Sequence, residues 1–298
     1  MLPVFISFAS SFLLVPCFTR AAQRYTSPMK PELEEHSFKA GTPSSGSFAI
    51  LIAVLFSALF MKSSPYRGVY VLAALLFSAV GISDDVLKVV RKSPDGLKSL
   101  TKLFFQIAAS AAVLYLIKER LGLYPEVPSL IWYPAALLYM LLFTNGVNIT
   151  DGLDSLAVKC SLPLLFMSAF LFASVREEAL VLAAALLGFL WYNAPRASVF
   201  MGDGGSHLTG GLIALIGLLS GRPEVILTAG LIFIAELLSS FIQIFSIRVF
   251  RRKVFPIAPL HHCFQKQGMG EEKITDRAMI ISFLFALLSV TLVKGRVV

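Results

Sequence analysis

The sequence predicts an all-α, polytopic membrane bundle of ten transmembrane helices, and three observations predict it. The 298-residue chain is 56% hydrophobic and only 15% charged, with a mean hydropathy of +0.77, whereas soluble domains carry about a quarter charged residues. Its apolar residues fall into ten runs, at 2–19, 47–61, 68–83, 103–117, 130–147, 160–175, 178–193, 207–221, 224–248 and 278–293. Several are slightly short of the about 20 residues that cross a hydrocarbon core of roughly 30 Å. Stretches such as 72–77 and 180–187 are continuously apolar, where a β-barrel would alternate apolar and polar positions.

The first run has neither a basic n-region nor a small-residue cleavage site, so it is expected to stay as the first helix and not to leave as a signal peptide. If the ten runs alternate in direction, one side of the membrane receives 20–46, 84–102, 148–159, 194–206 and 249–277. That side holds 18 of the 26 basic residues, counting Arg248 at its edge. Excess Lys and Arg mark the cytoplasmic side, which puts the N- and C-termini outside. Little chain remains for a soluble domain, so residues 1–298 read as one integral membrane domain.

The net charge of +8 does not indicate nucleic acid as a partner, because the basic residues sit in short loops at run ends without interleaved aromatics. Orientation and anionic headgroups or substrates account for them. Cys17 lies in the first run, and Cys160 and Cys263 face the reducing side, so no structural disulfide is expected.

Four polar segments interrupt the oily chain, all on the basic side. Carboxylates, amides and histidines are costly near hydrocarbon, so clusters of them point to a site that handles something charged. Asp84 and Asp85 are adjacent, which is expensive without a cation or proton nearby; Lys88 is a candidate partner one turn on, and a solvated helix end is the bland alternative. Lys102 begins the next run, where a lysine often snorkels; opposite the acidic pair it is also placed to meet a phosphate.

Asp151 and Asp154 lie three residues apart and would share a face if the next helix began early, with Asn145 and Asn148 preceding them at the same spacing. A helix cap at Thr150 or Asp151 explains only part of that segment. Phe200-Met-Gly-Asp203-Gly-Gly-Ser206 is the sharpest signal. Its glycines allow close backbone approach, N–H groups at a helix start favour an anion, and Asp203 supplies a carboxylate of the kind Mg²⁺ takes beside phosphate oxygens. His261 and His262 lack zinc-ligand spacing, so imidazoles that bind phosphate or sugar fit better. Glu236 and Gln243 read as intramembrane polar residues packed on other polar side chains.

In this order, the segments resemble the polyprenyl-phosphate N-acetylhexosamine-1-phosphate transferase superfamily. His36-Ser-Phe-Lys39-Ala-Gly-Thr-Pro43-Ser44-Ser-Gly46, Asp84-Asp85 with Lys88, 148–154, 200–206 and Ala258-Pro-Leu-His-His262 carry the likeness over almost the whole chain, and the last context resembles its muramoyl-pentapeptide branch. The resemblance implies transfer of phospho-N-acetylmuramoyl-pentapeptide from a UDP-linked donor (UDP-MurNAc-pentapeptide) to undecaprenyl phosphate at the cytoplasmic face of the bacterial inner membrane. The products would be lipid I and UMP; the same chemistry on UDP-N-acetylglucosamine is the alternative.

It further implies Mg²⁺ and a homodimer. Asp203 would be the metal ligand, and Asp84 and Asp85 would lie by the lipid phosphate, one of them a candidate to deprotonate it. Lys102 would contact phosphate. Lys39, Asp154, Asn193 and Phe200 match nucleoside-holding positions, and Ser44, Asn145, Asn148, Asp151, His261 and His262 match other polar active-site positions, with His261 also counted among the catalytic residues beside Asp84, Asp85, Asp203 and Lys102. Direct attack by the lipid phosphate is favoured, with an aspartyl-phosphate route as the alternative. Cys263 in place of a third histidine, Ser155 in place of a glycine, Ser44-Ser45-Gly46-Ser47 in place of Thr-Met-Gly-Gly, and His207 in an otherwise apolar helix start depart from the pattern. A transporter would instead place its polar residues at mid-span.

Overall fold

A computed structural model describes residues 1–23, 41–93 and 95–294. These residues form twelve α-helices with no strand among them: α1 (Leu2–Ala22), α2 (Gly46–Ala58), α3 (Arg67–Arg91), α4 (Ser99–Tyr115), α5 (Ser129–Thr150), α6 (Leu156–Leu171), α7 (Arg176–Asn193), α8 (Gly202–Leu219), α9 (Pro223–Ala229), α10 (Leu231–Phe250), α11 (Leu260–Lys266) and α12 (Glu271–Lys294). The predicted helical class is what the chain adopts, and each of the ten apolar runs is helical. Six helices, α1, α3, α4 with the turn that extends it to Arg120, α5, α10 and α12, are long and apolar enough to cross a membrane by themselves, or seven spans if the pair α6 and α7, bent by 120°, is one. The chain is thus built as a multi-pass membrane protein. The run at 224–248 departs from expectation: it breaks at Gly230 into α9 and α10, where a Cβ would strike the Phe143 ring of α5.

Helix α8 is the hub. Every residue from Gly204 to Leu219 is buried, so this helix meets protein on all sides and not lipid. Its glycines make that possible. A Cβ at Gly204 would press on Ser47 of α2 and Ile82 of α3, one at Gly210 would press on the Phe143 carbonyl of α5, and Gly81 of α3 lies directly against the Asp203 carbonyl. Small residues permit such backbone approach, and packing at close range replaces the hydrophobic drive that helices lack within lipid. Side-chain hydroxyls add ties between helices: Ser7 of α1 donates to the Val181 carbonyl of α7 at 2.7 Å, and Ser282 of α12 donates to the Cys160 carbonyl of α6 at 2.6 Å.

The outer faces are apolar and exposed, as in Phe241, Phe245 and Phe250 of α10 and Phe283 of α12, which suits hydrocarbon as solvent. Helix ends gather at two poles. At one, Ser64 donates to Glu178, Tyr124 Oη donates to the Leu218 carbonyl at 2.6 Å, and Arg222 reaches the Leu292 carbonyl at 2.9 Å. At the other, the ends of α3 and α5 meet the starts of α4 and α8, and the polar segments converge.

Candidate active site

Three helices deliver a carboxylate–lysine cluster to that second pole. Asp84, Asp85 and Lys88 come from the last turns of α3, Lys102 from the first turn of α4, and Asp203 from the first turn of α8. Lys102 Nζ lies 2.6 Å from Asp203 Oδ2 and 3.3 Å from Asp84 Oδ1. Lys88 Nζ lies 3.0 Å from the same Asp203 oxygen, 2.7 Å from Asp84 Oδ2 and 3.8 Å from Asp85 Oδ1. Three carboxylates therefore share two ammonium groups, which leaves one negative charge in excess. Asp84 is the most enclosed, 1% exposed; besides both lysines it accepts the Leu97 N–H at 2.7 Å. Gly96 lets that loop lie against it, since a Cβ there would meet the carboxylate.

Asp85 does something the sequence did not lead one to expect. Its carboxylate accepts the backbone N–H groups of Asp203 at 3.2 Å and Gly204 at 3.0 Å, so it occupies the N-terminus of α8. The glycine segment was expected to offer those N–H groups to a ligand phosphate; here the anion they hold is Asp85 itself, and the glycines serve helix packing. Such a carboxylate satisfies orphan donors and meets the positive end of the helix dipole. Asn148 completes the cluster, donating from Nδ2 to Asp203 Oδ1 and to Ser206 Oγ, both at 3.2 Å.

Beside it lies a second group. The segment before α2 pairs with the segment before α8: Phe200 N–H donates to the Pro43 carbonyl at 2.9 Å and Gly46 N–H to the Phe200 carbonyl at 3.0 Å. This seats Ser44 and Phe200 next to Gly202, whose positive φ of 70° turns the chain into α8 against Asp85. Asn193 clips the same region, accepting the Ser155 N–H at 3.0 Å and donating to the Val199 carbonyl at 2.9 Å, while Asp154 accepts the Ala197 N–H at 2.9 Å. Asp151 and Asp154 do not share a helical face: α5 runs on to Thr150, Asp151 ends it, and α6 starts only at Leu156. Lys39 lies outside the described residues.

The histidine loop forms the third group. His261 Nδ1 is 3.1 Å from Glu236 Oε2 of α10, and its Nε2 is buried without a hydrogen-bond partner against Gly152, where a Cβ would sit 2.5 Å away. His262 Nδ1 pairs with Gln265 Oε1 at 2.7 Å. Gln243 holds the loop from beneath, accepting the Val254 and Phe255 N–H groups at 3.0 and 2.9 Å. Glu236 thus packs on another polar side chain, as read from the sequence, whereas Gln243 is held by backbone groups of the loop.

Asp84, Asp85, Asp203, Lys102 and Asn148 meet directly. Asn145 instead engages Gln106 of α4 at 3.1 Å and the Leu141 carbonyl at 2.9 Å. Gln106 and the Glu236–His261 pairing escaped the sequence reading. Their only signal was a polar residue inside an apolar run, which does not reveal its partner.

Oxygen atoms of Asp84, Asp85 and Asp203, one from each, lie within 4.8 Å of one another. An all-carboxylate donor set with excess negative charge fits a hard divalent cation such as Mg²⁺ and does not suit a soft metal.

Fold and site together define a multi-pass helical membrane protein with an acidic, lysine-bridged centre at one pole. Residues 68–221 match the model described as glycosyl transferase family 4, and the chain belongs to that family. It is 34% identical over 276 residues to the phospho-N-acetylmuramoyl-pentapeptide-transferase of Caldicellulosiruptor bescii, covering 88% of this chain and 86% of that protein. The proteins of the same name from Clostridium acetobutylicum and Orientia tsutsugamushi are 32% and 30% identical, covering 96% and 97% of this chain and 96% and 91% of theirs.

Proposed function

We propose that this protein transfers the phospho-N-acetylmuramoyl-pentapeptide group from its UDP-linked donor to undecaprenyl phosphate, forming lipid I and releasing UMP. It does so as a single integral membrane domain of ten crossings, working as a homodimer at the cytoplasmic face of the bacterial inner membrane with both termini outside. The observation that carries this reading is the convergence of Asp84, Asp85 and Asp203 with Lys88 and Lys102 at one pole of the bundle. The relatives bearing that activity in their names favour it over transfer of N-acetylglucosamine phosphate.

In the reaction, a lipid phosphate oxygen forms a bond to the donor's β-phosphorus while the bond from that phosphorus to the UMP oxygen breaks. A phosphate monoester is mostly doubly ionised near pH 7, with a second pKa of about 6, so the protein's task is less to remove a proton than to bring anions together and neutralise them. Lys88 and Lys102 supply mobile positive charge, each already shared among carboxylates and able to turn toward phosphate oxygens. Asp84 anchors both lysines. Asp85 orients the start of α8 and so places Asp203, whose carboxylate Asn148 holds from the other side. With Asp84 and Asp85, Asp203 would hold Mg²⁺, which supplies Lewis-acid neutralisation of phosphate oxygens when bound. Phe200, Asn193, Asp154 and Lys39 are assigned to the nucleoside, and Ser44, Asp151, His261 and His262 to other polar parts of the substrates.

Purified protein with Mg²⁺ and undecaprenyl phosphate should release UMP from UDP-N-acetylmuramoyl-pentapeptide and far less from UDP-N-acetylglucosamine. Preference for the second donor would replace the proposed substrate.

A further inference from the structure

Lys102, Asn148 and Asp203 come from α4, α5 and α8, and each has a polar neighbour about one turn deeper on its own helix: Gln106, Asn145 and His207. A turn is about 5.4 Å of helix, so a second polar layer lies beneath the first and is built from the same three helices. Its bonds are fully specified. His207 Nδ1 lies 2.8 Å from the Asp203 carbonyl oxygen. A carbonyl only accepts, so Nδ1 carries the proton, and in the neutral imidazole Nε2 is then an acceptor. Gln106 Nε2, 2.8 Å from His207 Nε2, then donates to it.

The remaining Gln106 N–H reaches Asn145 Oδ1 and Gln106 Oε1 accepts from Asn145 Nδ2, both at 3.1 Å. The last Asn145 N–H goes to the Leu141 carbonyl at 2.9 Å. Each side-chain N–H in the layer has one acceptor, and Gln106 and His207 are 1% and 0% exposed. Asn145 is half-buried; a polar network in which all members are satisfied favours one arrangement, because a slip of one helix leaves a donor unpaired beside the buried Gln106 and His207.

We propose that His207, Gln106 and Asn145 form a positioning layer that locks α4 and α5 onto α8, in the register that brings Lys102 and Asn148 to the Asp203 carboxylate. The proposal rests on the reading of the Asp203 cluster as the reaction centre. It makes Asn145 a positioning residue and not a substrate contact, and it gives a role to His207, the departure at the start of α8. An apolar residue at 207 would leave the Gln106 amide without its inner partner and free α4 to shift.

The test begins with the wild-type protein carrying ¹⁵N-labelled histidine rings. The chain has four histidines, and the His207 signals are those lost in His207→Gln. At neutral pH the expected tautomer has Nδ1 protonated and Nε2 bare, and Gln106→Leu should move the His207 Nε2 signal. An Nε2–H tautomer, or a signal indifferent to Gln106→Leu, would overturn the layer whatever the activity.

In turnover assays His207→Leu and Gln106→Leu should each lower kcat at least about tenfold while KM for the UDP-linked donor stays within about twofold. His207→Gln, which keeps a donor and an acceptor, should recover most of the loss. Wild-type kcat in His207→Leu, or no recovery in a folded His207→Gln, would contradict a positioning role. Because the tautomer measurement needs no turnover, it stands apart from any failure of the proposed reaction.

Discussion

Asp85 caps the helix that carries Asp203: its two carboxylate oxygens accept the Asp203 and Gly204 N–H groups at 3.2 and 3.0 Å. Two acidic side chains from distant parts of the chain are thereby held close, one engaged by backbone donors and the other by Lys88 and Lys102. The adjacent pair Asp84-Asp85 thus divides its labour, with Asp84 holding the lysines and Asp85 holding α8.

Asp85→Asn should separate these roles. The carboxamide keeps one acceptor oxygen but loses the charge at the helix start, so stability in detergent should fall by about 1 kcal/mol. UMP release should fall at least about tenfold, since Asp203 is no longer set in place. Wild-type values in both thermal unfolding and turnover would remove the cap from the account.

The helical class, the ten apolar runs and the polar clusters were legible in the sequence, because apolar continuity and the cost of charge in lipid act locally. What was not legible depends on neighbours. The run at 207–221 looks like any lipid-facing helix, yet α8 is buried all round. The glycines at 202–205 look like a phosphate cradle, yet they admit α2, α3 and Asp85. Periodicity does not distinguish a face turned to lipid from one turned to another helix, and a glycine does not reveal whether a ligand or a side chain approaches it.

Ser155 occupies a left-handed conformation, φ 65°, as the residue before α6, which explains why a glycine is the usual residue in the pattern the segment resembles. A side chain there costs of order 1 kcal/mol, partly offset by the greater entropy that glycine loses on folding. Ser155→Gly should therefore raise stability by about 0.5 kcal/mol in thermal unfolding with turnover unchanged. A clear loss of stability would mean that the Ser155 hydroxyl contributes more than the backbone strain costs.

Cys263 donates its thiol to the Ile257 carbonyl within its own loop, whereas His261 links α10 through Glu236 to Gly152. Cys263→Ala should leave most activity. His261→Ala should lower turnover at least about tenfold, about 1.4 kcal/mol of transition-state stabilisation. Equal damage from the two changes would give the thiol a direct role.

The proposed orientation, with the carboxylate cluster toward the cytoplasm, rests on the basic-residue bias of the loops. In a background freed of its own cysteines, Cys introduced at Ser63 or Ser129 should label from outside intact cells, and Cys at Ser93 only after permeabilisation. The opposite pattern would reverse the topology and the side on which the donor is met.

Asp203, shared by Lys88 and Lys102, is proposed to organise phosphoryl transfer, and Asp203→Asn tests this with almost no change in volume. UMP release by the purified variant should be measured with UDP-N-acetylmuramoyl-pentapeptide and undecaprenyl phosphate across a Mg²⁺ titration, beside thermal unfolding of the same sample. The account predicts a folded protein whose turnover has fallen at least about a thousandfold, about 4 kcal/mol of barrier, and is not restored by more Mg²⁺. A folded variant that releases UMP at the wild-type rate with the same Mg²⁺ dependence would contradict it.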